Sequence, residues 1–106
     1  MTNVFHVTTR ANEDSILKSG IDPVYSKGKA QLSWFVSYER LPWALAHCSA
    51  RHHTPVDNLV VFPVPFTRLR RWRNSRYPGI YSTPCRTKVD ISVPAEVCLD
   101  PQGVSE

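Results

Sequence analysis

The chain has 106 residues, a formal net charge of +4, and 42% hydrophobic and 10% aromatic residues. This length allows a single domain, and the aromatic content excludes an intrinsically disordered chain. No apolar run is long enough to cross a membrane, and the first residues lack the basic and apolar segments of a secretion signal. The three cysteines, Cys48, Cys85 and Cys98, are odd in number and widely spaced, so we expect a cytoplasmic protein without a disulfide framework.

In the first half of the chain, strands are predicted to alternate with helices. These elements are a strand at 3–8, a helix at 10–19, a strand at 32–37 and a helix at 41–51. Thr9 fits the N-cap of the first helix, and Gly20 is a typical stop signal after it. Pro42 suits the first turn of the second helix, where its missing N–H has no intrahelical acceptor to lose.

The second half of the chain is predicted to be mostly strand. The run 58–64 is continuously apolar, which is typical of a strand buried on both faces. Pro63 indicates that the pairing of this strand ends or lies at a sheet edge there. Two later strands are predicted at 80–82 and 88–93, the second from its alternation of apolar and polar residues. Early helices followed by strands predict an α+β fold with two early helices.

Positive charge is concentrated between residues 58 and 89, which hold seven basic residues and no acidic ones. Such a stretch attracts phosphate groups, although a solvated basic face is the alternative interpretation. At its centre, four arginines surround an aromatic ring: Arg68, Arg70, Arg71, Trp72 and Arg73. Guanidinium groups match phosphate oxygens and the ring can stack on a base, so this segment is a candidate contact for a nucleotide or RNA.

Histidines mark two further candidate sites. Alternation along the first strand places His6 and Thr8 on one face, where both could hydrogen-bond to a ribose or a polar ring. The local pattern alone favours a core histidine at His6 over a ligand contact. The segment 47–53 holds four potential metal ligands, but helical spacing does not bring them to one face. No metal site is therefore predicted, and its basic residues are interpreted as stabilising a helix C-terminus.

Taken in order, these segments resemble the ADP-ribosyltransferase fold and, within it, the RNA 2′-phosphotransferase branch. The motifs that carry the resemblance are Val4-Phe5-His6-Val7-Thr8-Thr9, Ser15-Ile16-Leu17-Lys18-Ser19-Gly20-Ile21, Trp34-Phe35-Val36-Ser37, Arg51-His52-His53-Thr54-Pro55-Val56, Leu59-Val60-Val61-Phe62 and Val93-Pro94-Ala95-Glu96-Val97. The resemblance implies one domain over residues 1–99, followed by a frayed tail at 100–106. It also implies a minimal split, bent β-sheet that clasps NAD in a cleft.

The resemblance implies roles for individual residues, with NAD as the substrate. The residues implied to bind NAD are His6, Thr8, Ser37 and Tyr38. His6 would hydrogen-bond a ribose hydroxyl, Thr8 would line the nicotinamide pocket, and Ser37 would support the nicotinamide ribose. Arg51 resembles a phosphate-binding arginine of the 2′-phosphotransferase branch. The implied catalytic set is His6, Arg51 and Asp90, of which Asp90 is the carboxylate on a predicted late strand.

The sequence lacks a glutamate between Glu39 and Glu96, whereas most members of the wider fold place one on a late strand. The 2′-phosphotransferase branch works without it. Three functions therefore stay open. The main prediction is transfer of ADP-ribose from NAD to a protein or nucleic-acid acceptor held by the basic stretch, with no membrane partner. The alternatives are an RNA 2′-phosphotransferase-like enzyme and a non-catalytic module that binds RNA or a protein partner.

Overall fold

The computed structural model describes residues 2–25 and 31–98, and its framework is a six-stranded antiparallel β-sheet. The strands are β1 (Asn3–Thr9), β2 (Ser33–Val36), β3 (Leu59–Pro65), β4 (Arg73–Asn74), β5 (Ile80–Thr83) and β6 (Val93–Pro94). The helices are α1 (Glu13–Ser19), α2 (Leu41–His52) and α3 (Ala95–Cys98). Across the sheet the order is β4-β5-β2-β1-β3-β6. The predicted α+β class and the two early helices are confirmed.

Most predicted elements lie within one or two residues of the observed ones, with two informative differences. A 3₁₀ turn at Arg10–Asn12 precedes α1, so the α-helix itself begins three residues later than predicted. The predicted strand at 88–93 is wrong, because β6 contains only Val93 and Pro94. In that segment Val89 is buried in the core, and the Asp90 side chain bonds to another part of the chain. Ile91, the next apolar residue of the alternation, is exposed, so the pattern at 88–93 corresponds neither to strand pairing nor to a continuous buried face.

The sheet is covered on both faces. One face, here called the α2 face, packs against the helix α2; its core residues are Phe5, Val36, Leu41, Ala44, Leu45, Cys48, Leu59, Val61, Ile80 and Ala95. The core residues of the opposite face are Val4, Ile21, Phe35, Val60, Phe62, Val64, Leu69 and Val89. β3 contributes to both cores because its successive side chains alternate between the faces. This confirms the prediction of a strand buried on both sides.

The position of Pro63 also agrees with its sequence prediction. Among the described residues, β6 pairs with β3 at Val60 and Val61, so on that side of β3 the pairing ends before Pro63. β1 covers the other side of β3 through seven consecutive residue pairs. Within the described ranges, no helix combines the length and apolar character needed to span a bilayer.

The junction between β1 and β2 is the weak line of the sheet. These two strands pair at a single position, Phe5 with Val36, whereas β2 and β5 pair at four. After Phe5 in β1 and before Val36 in β2, the two strands therefore lie side by side without backbone pairing. This junction positions the candidate site.

Candidate functional site: a cavity between β1 and β2

A cavity of about 870 Å³ lies along the junction of β1 and β2. Its walls come from both strands and from α1 and α2. The polar and aromatic residues on these walls are Phe5, His6, Thr8, Asn12, Ser15, Ser19, Asp22, Tyr25, Ser33, Trp34, Trp43, His47, Arg51, His52 and Arg86. Of the predicted site residues, the structure brings His6, Thr8 and Arg51 together here. A volume of this size lies in the range of small-molecule binding sites.

His6 spans the gap between the two strands. Its ring nitrogen Nδ1 lies 2.8 Å from the carbonyl oxygen of Trp34 in β2. Because a carbonyl can only accept, Nδ1 carries the proton and Nε2 is the acceptor nitrogen of the neutral ring. The ring centroid lies 5.5 Å from that of Phe35 and 6.5 Å from that of Phe62. His6 is thus held in one orientation on the cavity wall.

The pKa of His6 is lowered, first because burial disfavours the charged ring. The hydrogen bond to the Trp34 carbonyl opposes this effect, since it favours a protonated Nδ1. At neutral pH the ring is therefore uncharged and offers Nε2 to a hydroxyl donor. An imidazole in this state can bind a ribose hydroxyl.

Thr8 lies two residues further along β1, on the same face as His6. It is buried, and its Oγ1 accepts a hydrogen bond of 2.9 Å from the side-chain amide of Asn12. That bond leaves the hydroxyl proton of Thr8 available as a donor. Asn12 belongs to the 3₁₀ turn before α1, so this contact joins the end of β1 to the wall that α1 forms.

One stripe of α2 lines the opposite wall. Trp43, His47 and Arg51 are spaced four residues apart, so they lie on the same side of the helix. The Trp43 and His47 rings stack with centroids 5.0 Å apart and planes 14° apart. Arg51 is exposed at the end of the stripe. This wall offers a flat aromatic surface followed by a cation.

Cys48 also lines the cavity, on the side of α2 that packs against the sheet. Burial raises the pKa of its thiol, and the nearby Arg51 charge offsets only part of that effect. The thiol is therefore protonated at neutral pH and is a poor nucleophile.

Asp22 is the carboxylate on the cavity wall. Its Oδ2 accepts a 2.9 Å hydrogen bond from the Arg86 guanidinium, and its Oδ1 accepts one from the backbone N–H of Val24. The bond from Val24, and then the bond from Arg86, lower the pKa of Asp22. Asp22 is therefore ionised, and Arg86 already neutralises it.

Ser37 and Tyr38 lie outside this cavity. Ser37 follows β2, and its backbone N–H donates to the carbonyl of Gly79 over 2.8 Å. It lines a smaller cavity of about 330 Å³ together with Thr2, Asn3, Val4, Phe66, Thr67 and Tyr81. The Tyr38 ring packs 6.2 Å from Phe5 at the α2 face of the core. The structure does not bring either residue to His6 and Thr8.

Asp90 is also placed away from the cavity. Its carboxylate lies 2.9 Å from the Arg68 guanidinium, which also donates to the Lys88 carbonyl. Both side chains are substantially exposed, at 36% for Arg68 and 62% for Asp90. This pair joins one predicted catalytic residue to one predicted acceptor-binding residue, at a surface outside the cavity.

The other predicted acceptor-binding residues lie in two different environments: the Trp72 ring packs against other aromatic rings, and the arginines are exposed. Trp72 packs edge-on against Phe66, with centroids 4.7 Å apart, and lies 5.8 Å from Tyr81. Arg70, Arg71 and Arg73 are exposed, and within the described ranges they form no ion pair. Arg73 belongs to β4, the strand at the edge of the sheet.

Sequence reasoning missed several residues that the structure brings to the cavity: Asn12, Asp22, Trp34, Trp43, His47 and Arg86. The four-residue spacing of Trp43, His47 and Arg51 was a usable signal for the α2 wall. No local pattern pointed to Arg86, because its partner Asp22 is 64 residues away in the sequence. Among the described residues, no three His, Cys, Asp or Glu side chains lie close enough to hold a metal ion.

Comparisons of the chain with protein-family models, with curated proteins and with solved structures find no match. Function is therefore inferred from the geometry of the cavity and from the chemistry of its walls.

Proposed function

We propose that the protein binds NAD in the cavity between β1 and β2 and transfers its ADP-ribose part to an acceptor. The observation that carries this proposal is the placement of His6, Thr8 and Arg51 on the walls of one cavity of about 870 Å³. These residues come from two elements that are far apart in the chain. The incomplete pairing of β1 with β2 also agrees with the split sheet that the sequence resemblance implies.

The chemistry of the walls fits such a dinucleotide. Trp43 is about half exposed, at 46%, and its ring can stack on a planar base or a pyridinium ring. Nε2 of His6 and the hydroxyl of Thr8 supply an acceptor and a donor for ribose hydroxyls. The guanidinium of Arg51 suits the diphosphate, because its planar donors match phosphate oxygens.

When bound, NAD supplies a ribose–nicotinamide bond that breaks with its electron pair going to nicotinamide, while an acceptor oxygen or nitrogen bonds to the ribose carbon and releases its proton to water. The contribution of this chain is positional and electrostatic. His6 and Thr8 hold the ribose, and their fixed hydrogen bonds to Trp34 and Asn12 limit reorganisation.

A second candidate is an RNA 2′-phosphotransferase-like reaction, and one observation favours it. The carboxylate on the cavity wall, Asp22, is already paired with Arg86. A developing positive charge on the ribose therefore meets no unpaired carboxylate among the described wall residues. An anionic acceptor such as an RNA phosphate would supply the missing negative charge itself and would be attracted by Arg51.

The test is an incubation with NAD that carries a label in its adenylate phosphate, with nicotinamide release measured by chromatography. The acceptors are a protein mixture, an unmodified oligonucleotide and a 2′-phosphorylated RNA. Arg51→Ala should lower NAD affinity by about tenfold or more, because a hydrogen bond to a charged group contributes about 1.5–3 kcal/mol. The matched control is Arg76→Ala, since Arg76 is exposed and does not line the cavity.

Nicotinamide release that requires Arg51 and is indifferent to Arg76 supports the proposal. Loss of phosphate from the 2′-phosphorylated RNA alone assigns the second candidate. Saturable NAD binding without release, with every acceptor, makes the protein a non-catalytic binding module and overturns the proposed transfer.

A further inference from the structure

We infer that a row of side chains on β2, β5 and β4 guides a single-stranded nucleic acid into the cavity as the acceptor. The inference rests on the proposed function, because it names the acceptor class of the same site. The row consists of Trp34, Ser82 and Arg73. Trp34 belongs both to this row and to the cavity wall.

The three residues are in register across the sheet. Trp34 of β2 pairs with Ser82 of β5, and Ser82 pairs with Arg73 of β4. Paired residues of antiparallel strands project to the same face. Two residues along each strand, Val36 and Ile80 belong to the core of the α2 face, so the row lies on that face.

The row places a stacking ring and a cation where a base and a backbone phosphate of one strand could be bound together. Neighbouring strands lie about 4.8 Å apart, so the backbones of Trp34 and Arg73 are separated by about 10 Å. Ser82 is small and buried, whereas Trp34 and Arg73 project from the surface on either side of it. An indole can stack on any base, and a guanidinium beyond it can bind the adjoining phosphate.

The charge near the row suits a polyanion. Arg68 and Arg86 are paired with carboxylates, but Arg70, Arg71, Arg73 and Arg76 form no ion pair among the described residues. Arg73 lies on the edge strand, where it faces no further described strand. Arg73 is thus an unneutralised cation across Ser82 from the exposed Trp34 ring, and a cation with a stacking ring is the combination by which proteins bind single strands.

Trp72 is not part of this row, although the sequence suggested it as the stacking residue. It packs against Phe66 and Tyr81, and Phe66 and Tyr81 belong to the core of the opposite face. Tyr81 alternates with Ser82 along β5, which places Trp72 and the row on different faces of the sheet. The aromatic residue that the acceptor meets is therefore Trp34.

The test measures binding of a fluorescein-labelled single-stranded oligonucleotide of about 12 nucleotides, as RNA and as DNA, by anisotropy. The variants are Arg73→Glu and, as a matched control, Arg76→Glu, which lies in the loop of the same hairpin and carries the same change of charge. Arg73→Glu should weaken binding by about tenfold or more and reduce the salt dependence between about 50 and 200 mM, because a phosphate contact is lost. Arg76→Glu should have a much smaller effect. Circular dichroism melting should show both variants folded.

NAD affinity of the same proteins, measured by calorimetry, separates this inference from the proposed function. Unchanged NAD binding with selective loss of oligonucleotide binding in Arg73→Glu supports the row. Equal effects of both variants, or tighter binding of an acidic peptide than of either oligonucleotide, overturn the inference and leave NAD binding intact. A wild-type protein that does not bind NAD, together with selective loss of oligonucleotide binding in Arg73→Glu, would support the nucleic-acid surface and reject the proposed transfer of ADP-ribose.

Discussion

At the scale of single residues, His6 is the most informative position, because its side chain contributes both to the fold and to the proposed site. Its Nδ1 bond to the Trp34 carbonyl joins β1 and β2 where their backbone pairing stops. The local sequence favoured a core histidine, and the structure agrees that the ring contacts Phe35 and Phe62. The same ring also lines the cavity, so the two interpretations are compatible at this position.

The lowered pKa of His6 predicts a pH dependence of stability. In the unfolded chain the ring gains a proton as pH falls through its ordinary value of 6.5, whereas in the folded state it stays neutral to a lower pH. The unfolded state then binds more protons, so stability falls as pH decreases below 6.5 and levels off below the folded pKa. The slope contributed by His6 is at most about 1.4 kcal/mol per pH unit.

Urea unfolding between about pH 7.5 and pH 5 measures this dependence. The free energy of unfolding should fall more steeply in the wild type than in His6→Gln, which has no titrating ring. His53→Gln is the control, because His53 is exposed at the end of α2. Parallel losses of stability in the wild type and His6→Gln would contradict the assignment of a neutral, buried His6.

At the scale of elements, α1 depends on a sharp exit at Gly20. This residue has φ +85°, and a Cβ there would lie 2.8 Å from the carbonyl oxygen of Thr87. The close approach allows Ile21 and Thr87 to exchange backbone hydrogen bonds of 2.8 and 2.9 Å. Gly20 therefore fixes the position of α1 over the cavity, and its side-chain-free backbone is part of the wall.

Gly20→Ala should destabilise the protein by about 1–3 kcal/mol, because alanine is strained at this φ and its methyl group meets backbone that cannot rotate away. Urea unfolding monitors the change, with Ser19→Ala as the control at an exposed neighbouring position. Equal stability of the two variants would show that the contact with Thr87 does not hold α1 in place.

The sequence predicted elements better than it predicted their contacts. The apolar run of β3, the Pro42 start of α2 and the Gly20 stop of α1 are local signals, and each matches the observed element. The segment at 88–93 alternates like a strand, but only Val89 is buried there, Ile91 is exposed, and strand pairing begins at Val93, because a short alternating pattern does not fix long-range pairing. Whether β1 pairs fully with β2 depends on contacts between distant segments, and no local pattern encodes that gap.

The candidate site shows the same division between local and long-range information. His6 and Thr8 were predicted together because they are two residues apart on one strand. Arg51 reaches the same cavity from α2. Ser37 was assigned by the family resemblance, and the structure places it against Gly79, where its Oγ would lie 2.6 Å from an added Cβ.

At the scale of the whole molecule, the distribution of charge changes once the chain is folded. The sequence suggested an uninterrupted basic stretch at 58–89, but Arg68 pairs with Asp90 and Arg86 pairs with Asp22, both from outside that stretch. The positive charge that is left unpaired gathers on the β4 side of the sheet, around Arg70, Arg71 and Arg73. Arg68 and Arg86 fit the interpretation of a solvated basic face. Arg73 fits the interpretation of a surface that binds the acceptor.

The central claim is that the cavity between β1 and β2 binds NAD through His6. Isothermal titration of NAD into the wild type, His6→Ala and the surface control His53→Ala tests it most directly. We expect saturable one-site binding to the wild type and to His53→Ala, and a loss of about tenfold in His6→Ala, since one hydrogen bond contributes about 1 kcal/mol and the ring also shapes the wall. No saturable heat with the wild type, or wild-type affinity in a His6→Ala protein whose melting temperature has dropped, would contradict the claim.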